Sequence, residues 1–383
     1  MAGVHAIGDL LGWFGWYVVP FILILSLIVS VHELGHYLVG RWCGVKIDAF
    51  SLGFGPELFA RIDARGTRWR VGALPLGGYV KFHGDANAAS VGEQAGAGAD
   101  PSVDRSLTLM GQPLRNRAAI VLAGPVANFI LAFVIFTGMF MAFGRVEHAP
   151  RIGRVEAGSP AAAAGFQAGD LIKSIDGNPI NSFEALQEST LMSTGLPMSF
   201  VVERHGQDVK LTATPRVSVV DQGVFGKRRM GHLGLASSAD RKDAKVERCG
   251  PATCAGWGAA QEWFIVKATA TYVVGVFAGR ESTDQMSGLI GAAQMAGEMA
   301  KISLWELFSL AAWFSVSVGL MNLLPIPLLD GGHLAFFGFE AIRGRPLSER
   351  AQEIGLRIGI ALVALLVVFT TSHDIIRLFT NGN

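Results

Sequence analysis

Two histidines and a glutamate lie close together near the end of a long apolar stretch, in the segment His32-Glu33-Leu34-Gly35-His36. This is an H-E-x-x-H pattern. On a helix, positions i and i+4 share one face, so both imidazoles can bind one zinc ion. Glu33 lies beside them, where it can take a proton from the attacking water. Because such polar groups are costly to place in lipid, a purely structural role is the less favoured explanation.

A catalytic zinc site of this kind needs a third protein ligand and keeps its fourth position for water. The preferred candidate is Asp330, in the segment 322–333 with the sequence NLLPIPLLDGGH. Pro325 and Pro327 must break a helix there, since each removes a backbone donor and restricts the residue before it. Broken backbone at membrane depth is tolerated where it is buried or lines a wet cavity. His333 is the alternative ligand, and a helix cap is the ordinary role of an Asp at such a place.

The elements that must carry these residues are long uncharged stretches. A bilayer core about 30 Å thick requires roughly 20 apolar residues of helix. Four stretches predict four membrane spans, at 13–31, 118–144, 307–329 and 358–372. A further apolar-rich stretch, 256–279, is interrupted by Glu262 and Lys267. We therefore predict that it lies on the membrane interface as an amphipathic helix and does not cross.

The composition agrees with a membrane protein that also has a water-facing part. Of the 383 residues, 50% are hydrophobic and 16% are charged, whereas an average soluble domain is about 25% charged. The formal net charge of +1 leaves no excess of positive charge for wrapping nucleic acid, so no nucleic-acid partner is expected. Basic residues concentrate in the loops after spans one and three. This bias predicts that those loops face the cytoplasm, while both termini and the 145–306 region face away from it.

The region between spans one and two contains strand-like segments at 68–74 and 79–82, which flank the turn-prone Pro75-Leu76-Gly77-Gly78. A hairpin at this place can approach the zinc and accept an unwound substrate as an added strand, through Gly77, Gly78 and Tyr79. An ordinary cytoplasmic hairpin is the alternative. The following residues, 87–100, are rich in Ala and Gly and predict a flexible linker.

The region after span two predicts a compact α/β unit. Residues 158–172, with the sequence GSPAAAAGFQAGDLI, resemble the bacterial PDZ pattern. PDZ folds bind peptides by strand addition, so a peptide or substrate tail is the expected partner. Farther along, Cys249 and Cys254 lie on the predicted extracytoplasmic side, where a disulfide is permitted. Their C-x4-C spacing is too weak a signal for a second metal site.

Together these motifs resemble the site-2 protease family of intramembrane zinc metalloproteases, especially its bacterial regulator-of-sigma-E type. Besides HELGH and LDG, the resemblance includes FSLGFGP at 50–56, ALPLGGYVK at 73–81 and AGPVAN at 123–128. It implies that His32, His36 and Asp330 bind one zinc ion, that Glu33 activates the water and that Asn322 handles substrate. It also implies a membrane-re-entrant β element in a bacterial inner-membrane protein. The implied substrates are single-span membrane proteins, such as anti-sigma factors already trimmed outside, or remnant signal peptides.

The predicted fold is thus a polytopic α-helical membrane protein with four transmembrane helices, a membrane-associated β-hairpin region and an inserted α/β PDZ domain. Its expected parts are the first transmembrane helix (1–41), the cytoplasmic-side or re-entrant β region with its linker (42–117), the second transmembrane helix (118–144), the PDZ domain (145–216), an extracytoplasmic connector with the interfacial helix (217–302), the third transmembrane helix with the broken LDG segment (303–330), and a cytoplasmic loop with the fourth transmembrane helix (331–383).

Two other classes of protein compete with this interpretation. The first is a non-catalytic, membrane-anchored PDZ scaffold, which the intact H-E-x-x-H pattern together with Asp330 disfavours. The second is a transporter with a broken helix, but the sequence shows no inverted repeat of the proline-interrupted span.

Overall fold

The computed structural model describes residues 14–85, 104–193, 195–221, 227–238, 243–278 and 288–380. The predicted linker at 87–100 lies outside these residues. The chain divides into two compact units. We call Met1–Thr137, Trp257–Val274 and Met286–Asn383 the helical unit, and Gly138–Gly256 with Gly275–Gln285 the inserted unit.

The helices are, in chain order, α1 (Val19–Trp42, preceded by a π-helical turn at Phe14–Val18), α2 (Leu114–Phe143, preceded by a 3-10 turn at Arg105–Leu107), α3 (Pro160–Ala163), α4 (Phe183–Met192), α5 (Pro251–Phe277), α6 (Leu289–Ile302), α7 (Leu304–Asn322), α8 (Asp330–Arg343) and α9 (Glu349–Thr380). The strands are β1 (Ile47–Ile62), β2 (Arg68–Phe82), β3 (Arg145–His148), β4 (Ile152–Val155), β5 (Leu171–Ile175), β6 (Asn178–Pro179), β7 (Met198–Arg204), β8 (Gln207–Ala213), β9 (Arg216–Asp221), β10 (Lys227–His232), β11 (Leu235–Ser237) and β12 (Ala244–Glu247).

Four helices within the described ranges are long and apolar enough to cross a membrane, at Gly15–Trp42, Leu114–Phe143, Leu304–Asn322 and Arg350–Ile376. They correspond to the four predicted spans. The third ends at Asn322, earlier than the predicted limit of 329, because Pro325 and Pro327 prevent the helix from continuing. The chain becomes helical again only at Asp330, which begins α8.

Helix α5, which covers the predicted interfacial segment, packs within the helical unit. Gly258 lies so close to α2 that an added Cβ would be 2.4 Å from Thr137 Oγ1. The ring of Phe264 packs edge-on against Trp313 of α7, with 6.4 Å between centroids. This helix is not among the four span candidates found in the described ranges. Its position on the membrane interface stays a prediction.

Strands β1 and β2 together form a meander in which residues 49–52 of β1 lie between 68–71 and 78–81 of β2. The chain therefore reverses within 72–77, and the predicted turn at Pro75–Gly78 is confirmed. The run 68–71 is parallel to 49–52, whereas the run 78–81 is antiparallel to it. A further reversal, at 63–67, pairs 57–62 with 68–72. That reversal is closed by Asp63, whose Oδ1 accepts the backbone N–H groups of Arg65 and Thr67 at 2.8 and 3.0 Å. At the turn within 72–77, Gly77 has a φ of 124°, a backbone conformation that suits glycine, and Leu52 pairs with both Val71 and Gly78, one on each side of the turn.

The inserted unit contains a four-stranded sheet with the order β6-β5-β7-β8. As the sequence predicts, β7 and β8 pair across His205-Gly206, two residues with positive φ that suit a tight hairpin turn. One apolar core joins this sheet to α3 and α4. Strand β11 pairs with β4, which extends the unit beyond 216, where the predicted PDZ domain ends. Farther along, Cys249 and Cys254 form a disulfide.

Candidate active site

The H-E-x-x-H residues lie in the C-terminal half of α1, on a helix as the sequence predicts. Both imidazoles are buried, and their Nε2 atoms are 3.2 Å apart. Helix α2 crosses α1 closely at this level because two glycines replace side chains at the crossing. A Cβ on Gly35 would lie 2.3 Å from the carbonyl oxygen of Ala123, and a Cβ on Gly124 would lie 2.4 Å from His36 Nε2.

The break after α7 brings Asp330 to the two histidines from almost 300 residues farther along the chain. Its Oδ2 lies 3.0 Å from His32 Nε2, and its Oδ1 lies 3.6 Å from His36 Nε2. One donor atom from each of the three residues lies within 4.8 Å of the others, and no other such cluster occurs among the residues that the structure describes. His333 is not part of this cluster; its ring packs against Phe336.

These residues fit a metal ion. All three are buried, and Asp330 Oδ2 has no hydrogen-bond partner in the described part of the chain, although it lies close to His32 Nε2. An unsatisfied buried carboxylate oxygen that faces two imidazole nitrogens is costly unless a cation satisfies all three. Two His nitrogens and one carboxylate oxygen form a donor set that catalytic zinc sites use. A Cβ on Gly124 would crowd both imidazole Nε2 atoms, so the absence of a side chain there leaves them room for a metal.

Helix α2 fixes the orientation of one of the histidines. The Nδ1 of His36 is 2.8 Å from the backbone carbonyl oxygen of Ile120, to which it donates a hydrogen bond. Because Nδ1 then carries the proton, Nε2 keeps its lone pair for a metal. Sequence reasoning did not place Ile120 or Gly124 at the site, because the rotation of α2 about its axis cannot be read from a uniformly apolar helix.

Strand β2 lies along the same side of α1. The backbone N–H of Val80 lies close to the carboxylate of Glu33. A Cβ on Gly78 would lie 3.6 Å from Glu33 Cγ. About two helical turns before Glu33, Ser26 Oγ donates to the carbonyl oxygen of Pro75 at 2.5 Å. The turn at 75–78 and the run that follows it are therefore held against the helix that carries the H-E-x-x-H residues.

The other predicted substrate-binding residues are distributed around this strand and at the end of α7. Gly77 lies in the turn between the two runs of β2, where a Cβ would lie 3.8 Å from Val29 of α1. The Tyr79 ring packs against Phe54, with centroids 6.0 Å apart. Asn322 is the last residue of α7, half-buried, and is not one of the three clustered ligand candidates.

Helix α8, which begins with Asp330, is anchored at its other end. Arg117 at the start of α2 donates to both carboxylate oxygens of Glu340, at 3.2 and 2.5 Å. The guanidinium also lies over the ring of Phe337, 5.1 Å from its centroid. A bidentate pair with little exposure constrains orientation as well as distance. Helix α2 therefore contacts both histidines directly, and it holds α8, the helix that begins with Asp330.

The sequence pattern of peptidase family M50 matches residues 20–366. The chain belongs to peptidase family M50. Proteins of Agrobacterium fabrum and Rhizobium meliloti whose names describe zinc metalloproteases are each 44% identical to it, and the alignments cover 95% of this chain and 97% of each relative. Metalloprotease MmpA of Caulobacter vibrioides is 39% identical over 94% of this chain and 95% of its own length.

Membership of M50 makes this protein a zinc-dependent metalloprotease of the site-2 protease type that is integral to the membrane. A solved PDZ domain of an SdrC-like protein from Listeria monocytogenes is 19% identical over 23% of this chain and 84% of its own, with a TM-score of 0.19. A likeness at that level does not assign a fold, so the PDZ domain stays a prediction.

Proposed function

We propose that this M50 protease hydrolyses peptide bonds in the membrane segments of single-span membrane proteins. In this proposal His32, His36 and Asp330 bind one zinc ion and Glu33 is the general base. The observation that carries it is the cluster of three buried donors with Glu33 beside them. One helix long enough to span a membrane contributes both histidines and Glu33, and Asp330 follows the break after another.

Each side chain has a defined task in the hydrolysis. Bound zinc supplies the Lewis acidity that peptide hydrolysis requires. Glu33 takes the proton from the attacking water and then gives it to the leaving amine. The N–H of Val80 holds the Glu33 carboxylate in place, so that this base does not have to be ordered when substrate arrives. The Ile120 carbonyl does the same for the His36 ring.

Substrate in this proposal binds as an added strand at the edge of β2. Val80 pairs with Phe50 of β1, yet its N–H reaches Glu33, so this N–H is on the edge away from β1. Alternate residues of a strand present their main-chain groups to the same side, which puts Gly78 on the same edge. A substrate unwound along this edge, against Gly77, Gly78 and Tyr79, would present its main chain next to the general base.

A membrane location of the hairpin is supported by its exposed apolar side chains. Leu58, Phe59 and Ile62 of β1 and Leu74 of β2 are each more than half exposed. An exposed apolar surface of this kind suits lipid better than water. We propose a re-entrant hairpin in the bacterial inner membrane, with both termini and the inserted unit on the extracytoplasmic side. The disulfide between Cys249 and Cys254 supports an oxidising compartment for that unit.

The inserted unit is proposed to contain the PDZ domain and to bind a peptide or the trimmed tail of a substrate. Strand β11 supports this role, because it pairs with β4 and with no other strand in the described ranges. An unpaired edge of this kind can accept an extended peptide. The proposed substrates are anti-sigma-factor-like proteins already trimmed outside the membrane, and remnant signal peptides.

The test is cleavage of a model single-span protein by the purified enzyme in lipid vesicles, comparing wild type with Glu33→Gln. Glu306→Gln, at an exposed position in the first turn of α7, is the matched control. We expect Glu33→Gln to lower the cleavage rate by about 1,000-fold or more while zinc content is unchanged, because a general base and its proton transfers are lost. Cleavage by Glu33→Gln at the rate of the control variant would reject the mechanism.

A further inference from the structure

Asn128 is a buried polar residue on α2 that none of the steps above uses. It follows Gly124 by one helical turn and Ile120 by two, so the three residues share one face of α2. That face is the one against the two histidines. The side chain has no exposed surface. A fully buried amide without hydrogen bonds is costly, so its partner indicates its purpose.

The partner is His32. The side-chain nitrogen Nδ2 of Asn128 is 3.2 Å from His32 Nδ1. Asn128 Oδ1 has no hydrogen-bond partner in the described part of the chain, which leaves the imidazole as the one contact that the amide makes there. The amide is therefore not used to cap a helix or to bond a backbone group of a neighbouring helix within those ranges.

The chemistry of a zinc ligand decides which end of the amide faces the ring. If His32 binds zinc through Nε2, which lies 3.0 Å from Asp330 Oδ2, its proton must be on Nδ1. An Nδ1–H needs an acceptor. A rotation of the amide by 180° exchanges its oxygen and nitrogen with almost no change of shape, so the oxygen can take the position next to Nδ1.

We propose that Asn128 is a positioning residue that accepts a hydrogen bond from His32 Nδ1–H and thereby fixes the tautomer and orientation of this zinc ligand. It does for His32 what the Ile120 carbonyl does for His36. Both supports come from α2, which contributes no candidate ligand of its own. This inference rests on the proposed function, since it requires His32 to be a zinc ligand.

Helix packing is the competing explanation, and the structure allows the two to be separated. At Asn128 the contact between α2 and α7 is made by the main chain: Ser315 Oγ donates to the Asn128 carbonyl oxygen at 2.8 Å. Gly319 also approaches this position, where an added Cβ would be 3.3 Å from Asn128 Cβ. Ser315→Ala therefore weakens the packing at this residue without changing the amide, and it is the matched control.

The experiment measures the zinc dissociation constant of the full-length protein in detergent by competition with a chelator, and cleavage in parallel. Asn128→Leu removes the acceptor, and Asn128→Asp keeps an acceptor of the same shape. We expect zinc binding of Asn128→Leu to be about 10- to 100-fold weaker, with Asn128→Asp and Ser315→Ala within about threefold of wild type. If Asn128→Leu does not fold, Asn128→Asp alone decides, because a carboxylate accepts from Nδ1–H but cannot donate to Nδ1.

Two results would overturn the inference. One is a loss of zinc affinity in Asn128→Asp that is as large as the loss in Asn128→Leu. If Asn128→Leu does not fold, a loss beyond about threefold in Asn128→Asp has the same meaning. The other is a loss in Ser315→Ala that equals the loss in Asn128→Leu. His36→Ala separates these outcomes from failure of the proposed function. If zinc binding is insensitive to His36→Ala, the proposed metal site itself is wrong, whereas zinc lost in His36→Ala but kept in Asn128→Leu rejects only the role of Asn128.

Discussion

Helix α2 packs closely against the two histidines at Gly124, and Gly124→Ala tests this packing directly. A Cβ at this position would lie 2.4 Å from His36 Nε2 and 2.7 Å from His32 Nε2. Both atoms are the ones proposed to bind zinc. The substitution adds one methyl group, and it adds this group at the point where the metal must fit.

The size of the effect follows from these distances. Ordinary contact begins at 3.4 Å, so the His36 ring must retreat by about 1 Å, whereas zinc–ligand distances tolerate only about 0.2 Å. We expect zinc binding to weaken by at least about 100-fold, at the upper end of what altered ligand orientation costs. Fold stability should change less, because the better helix propensity of Ala, by about 1 kcal/mol, offsets part of the overpacking cost of about 1–3 kcal/mol.

The assay is zinc content and cleavage rate, together with the melting temperature of the metal-free protein. Gly138→Ala on the same helix is the control, since nothing lies within 4 Å of a Cβ at that position. We expect Gly138→Ala to keep zinc and activity, while Gly124→Ala loses both yet still unfolds in a cooperative melt. Zinc binding by Gly124→Ala at wild-type strength would refute the placement of α2 against the ligands.

Three further predictions concern the surroundings of the site. Arg117→Glu and Glu340→Arg should each weaken zinc binding by about tenfold, because α8 loses its anchor. The double variant should recover most of the lost zinc affinity, and no recovery would show that the two residues do not act through their mutual contact. Cys43 should react with a membrane-impermeant maleimide only from the cytoplasmic side; labelling from outside would reverse the proposed orientation. Burial raises the pKa of Asp85 to about 7, so the free energy of unfolding should fall as pH rises from about 4 to 7. Asp85→Asn should abolish this fall, so the difference in melting temperature between the variant and wild type should change between the two pH values. An equal difference at both pH values would contradict the prediction.

Much of the site could be predicted from the sequence because its residues stand out against apolar surroundings. His32, Glu33 and His36 share a helical spacing, and Asp330 follows a proline break that no transmembrane helix tolerates unaided. These are local patterns. The preference for Asp330 over His333 is also local, because the helix that restarts at Asp330 turns His333 away.

The parts that could not be predicted depend on contacts between distant segments. The turn at Pro75-Leu76-Gly77-Gly78 could be predicted, but the parallel pairing of 49–52 with 68–71 and the contact of Pro75 with α1 join separate segments of the chain. The pairing of β11 with β4 joins strands some 80 residues apart. The role proposed for Asn128 requires knowing which face of α2 meets α1, and an apolar helix with no polar side does not indicate its rotation.

The central claim is that the metal site is made by residues of α1 and by the first residue of α8. The measurement that tests it most directly is zinc per chain in purified Asp330→Ala, with His333→Ala as the matched control three residues farther along α8. We predict one zinc per chain in His333→Ala and in wild type, and loss of zinc in Asp330→Ala, because a carboxylate that completes the donor set has been removed. Zinc retained by Asp330→Ala and lost from His333→Ala would contradict the site described here.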